Sequence, residues 1–163
     1  MQISKIRVSA AQASAALLDL PDDPLKALAR IKFDPIGWHP IEQRALNLIE
    51  QVNQTFTYLV ALKAARLLLE WHPEAEGYRL APGAHAPKQS LDIESLVPGV
   101  VGAETFAAVR PENNRKLIGD LTKLASRPER FRYVFFMSPL FPETQRRLEK
   151  ERDGIGVWSI SAD

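Results

Sequence analysis

Residues 89–125, QSLDIESLVPGVVGAETFAAVRPENNRKLIGDLTKLA, constrain this chain more than any other stretch, because they read as strand, tight turn, strand and helix. Val97-Pro98-Gly99 forms a short hairpin loop with glycine at its last position, where a left-handed backbone is needed. That turn sets a register in which Leu96 faces Val100, Glu94 faces Gly102 and Asp92 faces Glu104. Strand side chains alternate between faces, so Asp92, Glu94 and Glu104 share one face. Leu91, Ile93, Val97, Val101, Ala103, Ala107 and Val109 fall on the other, as a continuous apolar surface. Like charges opposed across a sheet repel. Either a divalent cation with oxygen ligands offsets that repulsion, or the acids line a solvated polar face.

Composition narrows the class. The chain has 163 residues, enough for one domain with a sizeable core. Hydrophobic residues make up 45% and charged residues 25%, which argues against disorder. A net charge of +1 carries no global signature of a nucleic-acid binder, so any basic surface is local. There is no cysteine, which removes disulfides, thiolate zinc sites and cysteine nucleophiles and fits a reducing compartment. No apolar run reaches the ~20 residues of a membrane helix, and MQISKIRVSA lacks a signal-peptide core. The expectation is a cytoplasmic protein without a membrane partner.

Residues 1–37 are expected to be a helical appendage packed on a domain spanning 38–163. Ile3, Ile6 and Val8 suit either a strand or a helix; Ala10 to Leu20 reads as helix. Asp23 is a good N-cap with Pro24 at the first helical position. Pro40 to Trp71 carries helical apolar spacing, starting after His39 and stopping at His72-Pro73, with a kink or interruption expected near Thr55. Glu42 and Glu50 lie in its first half, Glu50 at the edge of the buried stripe. Gly77 to Leu80 is a strand. The loop after it contains His85, and the three histidines (His39, His72, His85) lack metal-ligand spacing. No nucleophile elbow and no glycine-rich phosphate loop occurs.

After the hairpin, Arg110-Pro111-Glu112 opens a helix with Leu117, Leu121 and Leu124 as its buried stripe and Arg115, Lys116 and Lys123 as its positive charges. Phe131 to Met137 is a nearly continuous apolar strand, as in a sheet covered on both faces. Pro142 to Arg152 reads as a short charged helix, and Gly154 to Ser161 as a last strand. The order is α/β: a mixed central sheet flanked by helices.

This order, helix, three-strand meander, helix, strand, with an acid on the second strand and another on the third, resembles the core of the PD-(D/E)XK, or restriction-endonuclease-like, nuclease superfamily over about Pro40 to Ser161. Asp92 matches the first acid of the motif and Glu104 the second; Glu50, or else Glu42, resembles the glutamate that the first helix often adds. Two positions depart from the pattern. Phe106 stands where E-x-K has lysine, and Leu91, not proline, precedes Asp92. The resemblance implies a metal-dependent nuclease acting on DNA or RNA, with Mg²⁺ or Mn²⁺ held by Asp92, Glu104 and Glu50. Lys116 is the expected catalytic substitute for the missing lysine, and Arg115, Lys116 and Lys88 the expected nucleic-acid contacts. A homodimer is compatible with this reading. The alternative is a catalytically inactive nuclease-fold protein that serves as a nucleic-acid or protein interaction module.

Overall fold

The computed structural model describes residues 2–83 and 90–163. They form two compact units, Met1–Leu59 and Val60–Asp163.

In the first unit, α1 (Gln2–Leu18) and α2 (Pro24–Phe33) precede a two-stranded ribbon of β1 (Gly37–Trp38) and β2 (Ala45–Leu46). The stretch that suited either strand or helix, Ile3 to Val8, is helical. Asp23 caps α2 as expected, accepting from the Lys26 N–H at 2.9 Å with Pro24 at the first position. The long helix expected from Pro40 starts instead at Leu48, as α3 (Leu48–Trp71). The intervening residues turn because the His39 ring nitrogen Nδ1 accepts from the N–H groups of Ile41 and Glu42, and Gln43 is left-handed at φ 57°. Leu46, inside the span expected to be helical, is therefore a ribbon residue. Asn47 caps the helix, its side chain accepting from the Glu50 N–H at 2.8 Å. No break follows at Thr55.

Gln51 holds this unit together. It is 1% exposed, donates to Ser9 O at 2.6 Å and Ser9 Oγ at 2.8 Å, and accepts from the Trp38 N–H at 2.9 Å. Gln51→Leu leaves the Trp38 N–H without its partner and removes both bonds to Ser9, whose carbonyl keeps its place in the α1 ladder. A loss of about 1–3 kcal/mol in urea denaturation is expected, the cost of one unsatisfied donor.

The second unit is a mixed sheet flanked by helices. Its strands, β3 (Tyr78–Leu80), β4 (Ile93–Ser95), β5 (Val101–Ala107), β6 (Phe131–Met137), β7 (Gln145–Arg146) and β8 (Gly156–Ser159), lie in the order β3-β4-β5-β6-β8-β7. β3 to β5 form the expected antiparallel meander, and β5, β6 and β8 run parallel. Phe131 to Met137 is the central strand. It is apolar on both faces because Val134 and Phe136 pack beneath α4 (Lys116–Ala125), while Phe135 packs against Trp71 of α3.

The hairpin keeps the expected register: Ile93 pairs with Ala103 and Glu94 with Gly102. Gly99 is left-handed at φ 78°, the conformation that its place in the turn demands. The pairing is shorter than expected, and Leu91 leaves the face assigned to it. It crosses to the α4 side, where a Cβ on Gly102 would meet its Cδ1 at 2.5 Å, so a larger residue there would push the Leu91 side chain aside. Ala107 and Val109 are exposed rather than part of the apolar face.

Two further expectations are corrected. Arg110-Pro111-Glu112 does not open the helix: Asn114 and Arg115 are left-handed at φ 53° and 57°, and α4 begins at Lys116. Residues 142–152 form no charged helix. Their helix-favouring side chains are overridden by tertiary pairing: Gln145–Arg146 adds an antiparallel edge strand to β8, and only a single 3₁₀ turn, Leu148–Lys150, follows. Among the described residues, no helix is long and apolar enough to cross a membrane.

Candidate active site

The hairpin and α4 bring five charged side chains together. Glu104, in the middle of β5, is 3% exposed and faces α4. Asp92 lies just before β4, and its Oδ2 accepts from the Thr105 N–H at 2.7 Å and the Thr105 hydroxyl at 3.0 Å. The aspartate therefore takes up a β5 donor that lies beyond the first residue of β4. From α4, the Lys123 ammonium donates to Glu104 Oε1 at 2.6 Å and to Ser90 O at 2.8 Å. Lys116 donates to Asp120 Oδ1 at 2.6 Å and lies 6.0 Å from the centroid of the Phe106 ring. Asp120 is 4% exposed, and its Oδ2 has no hydrogen-bond partner among the described residues.

Burial and mutual repulsion dominate the electrostatics. Burial, then the Asp92 charge, pushes the Glu104 carboxyl up to about 7, against the Lys123 hydrogen bond. Burial also raises the Asp92 carboxyl, against the Thr105 bonds, and the Asp120 carboxyl, against the Lys116 bond. Burial works against the charge on Lys116, but the Asp120 hydrogen bond and the charges of Asp120, Asp92 and Glu104 together hold its ammonium above the usual range. Three acids face two bases. One proton or one further cation balances the set.

The expected site residues divide as follows. Asp92 and Glu104 meet at the hairpin, near enough for the charge of Asp92 to act on Glu104. Glu94 shares their strand face but is drawn off by Arg127 at 3.1 Å and Arg79 at 4.0 Å. Lys116 belongs to the cluster, but its described hydrogen bond is to Asp120. Lys123 is the lysine on Glu104. Helix geometry explains the exchange. α4 runs back along β5, so its first residue stands over Phe106, near the end of that strand. Glu104 is two strand residues back, ~6.6 Å at ~3.3 Å each, a distance that α4 covers in four or five residues at ~1.5 Å, which is the place of Asp120; Lys123, on the same face within one further turn, reaches back to Glu104 because helical side chains lean toward the N-terminus. Arg115 is exposed at the left-handed turn. Glu50, exposed in the first turn of α3, and Glu42, paired with Arg44 at 3.0 Å, belong to the first unit. Lys88 and His85 lie outside the described residues.

Asp120 and Lys123 were legible as a pattern. Lys116, Asp120 and Lys123 stand at i, i+4 and i+7, a polar stripe beside the leucine stripe 117, 121 and 124. A buried-edge aspartate between two lysines is the signal that spacing alone offers.

Among the described residues, no group of three or more His, Asp or Glu side chains is arranged to hold a metal ion. No protein-family model, curated protein or solved structure matches the chain.

Proposed function

We propose that the second unit is a PD-(D/E)XK-type, restriction-endonuclease-like nuclease that hydrolyses phosphodiesters in DNA or RNA. The observation that carries this reading is the contact between Lys123 and Glu104. An acid on the third strand of the meander, beside an aspartate from the second, touches a lysine from the next helix although its own strand offers Phe106. Asp92 and Glu104 suit Mg²⁺ or Mn²⁺: their donors are hard carboxylate oxygens, and the cluster carries one more acid than base. The unpartnered Asp120 Oδ2 beside them fits the same need. A bound divalent ion supplies a more acidic water and neutralises charge on the phosphate. Lys123 holds Glu104 in place and keeps a positive charge beside the reacting phosphodiester, the part that the strand lysine has in this superfamily. Asp92 is fixed by Thr105.

Phe106 favours the second reading, an inactive fold retained as an interaction module. It is 6% exposed and stacks on Phe136 in the core, with ring centroids 5.8 Å apart.

Thermal denaturation with and without Mn²⁺ tests the metal. A ligand bound to the native state alone stabilises it, by about 2.7 kcal/mol at a hundredfold excess over Kd. The wild-type midpoint is expected to rise with Mn²⁺, and Asp92→Asn to remove the rise. A midpoint indifferent to millimolar Mn²⁺ rejects the metal-dependent reading.

A further inference from the structure

A second site lies in the same unit, at the starts of β6 and β8. It is a cleft of about 290 Å³ whose walls include Trp71, Tyr133 and Trp158, with Arg130, Arg132 and Arg146 around them. Of its ten lining residues three are arginines and none is acidic. We propose that this cleft binds a nucleotide, its base against the tryptophans and its phosphate against the arginines.

The aromatic wall is preformed. The Trp71 and Trp158 rings lie 4.6 Å apart, and Tyr133 is 5.9 Å from Trp71. The Tyr133 hydroxyl is fixed at 2.8 Å from His72 Nε2. All three aromatic side chains keep part of their surface open to solvent, as a stacking platform requires.

Charge supplies the second half of the argument. Arg146 is held by both oxygens of Glu151, at 2.7 and 3.0 Å. Arg130 and Arg132 have no carboxylate within 4.0 Å among the described residues, though the Arg130 charge is near enough to help lower the Glu74 carboxyl. The Arg130 guanidinium is exposed and lies 4.8 Å over the Phe131 ring. Among the described residues, Arg132 donates to carbonyl oxygens, those of Leu124, Ala125 and Asp153. Arg130, exposed, and Arg132, whose Nε has no hydrogen-bond partner among the described residues, thus keep N–H donors for an anion from outside, beside a surface that stacks on any base. The cleft shares no residue with the acidic cluster, so this proposal stands apart from the nuclease reading.

A nucleotide reaches such a cleft either free or as one unit of a single strand. Tryptophan fluorescence separates the two, because two of the three tryptophans line the cleft. The titrants are AMP, inorganic phosphate and a 5′-phosphorylated octadeoxyadenylate, in EDTA so that no divalent ion contributes. Saturable quenching by AMP assigns the site to a free nucleotide. Saturable quenching by the octamer alone assigns it to a strand. Either result supports the proposal when Arg130→Glu, a surface change, weakens it by on the order of tenfold and Asp92→Asn leaves it unchanged. Absence of saturable quenching by both, equal quenching by inorganic phosphate, or undiminished quenching in Arg130→Glu overturns it.

Discussion

Lys123→Ala is expected to lower phosphodiester cleavage by on the order of 10²-fold, the usual effect of losing one fixed electrostatic contact in the transition state. The ammonium is held between Glu104 Oε1 at 2.6 Å and Ser90 O at 2.8 Å, so its position is set before any substrate arrives. Lys116→Ala should act differently. It leaves Asp120 buried without its partner, at a cost of about 1–3 kcal/mol in stability, and keeps turnover close to wild type. Single-turnover cleavage of a labelled oligonucleotide, with denaturation of both variants, reads out the two effects. Equal rates for Lys123→Ala and wild type would refute the role given to Lys123. A wild type that binds Mn²⁺ but cleaves neither DNA nor RNA would mark an interaction module.

Metal-free protein is expected to lose roughly 3 kcal/mol of stability as pH rises from about 4.5 to about 7, through Glu104 alone. The sign follows from the direction of the shift. Burial and the Asp92 charge raise the folded carboxyl above its unfolded value of 4.5, so the native state binds this proton more tightly. The stabilisation is complete below the unfolded value and is lost as pH passes through the folded one. Asp92 and Asp120, also raised, add in the same direction. Glu104→Gln should remove most of this dependence and leave the protein more stable than wild type above pH 7. Saturating Mn²⁺ should flatten the wild-type profile, since the bound ion favours the carboxylate. The check is urea denaturation at a series of pH values in EDTA; parallel profiles for wild type and Glu104→Gln would rule out Glu104 as the group responsible.

Local chemistry decided the hairpin. Gly99 at the left-handed position and strict alternation along both strands set the register without help from the rest of the molecule, and the central strand announced itself as an apolar run. The cap at Asp23 is equally local. Elsewhere the same reasoning met competitors that lie far away in the chain. Residues 142–152 have helix-forming side chains, yet the open edge of β8 offers Gln145 and Arg146 a ladder that their own sequence does not encode. Leu91 has the spacing of one strand face but fills the gap above Gly102 on the other. The site shows the division most sharply. Asp92 and Glu104 could be paired from the turn alone, because hairpin register is a property of adjacent residues. Which lysine meets Glu104 could not, because it depends on where α4 starts and in which direction it crosses β5. Two left-handed residues, Asn114 and Arg115, delay that start to Lys116, and the slower rise of the helix then carries Lys123, rather than Lys116, to the acid.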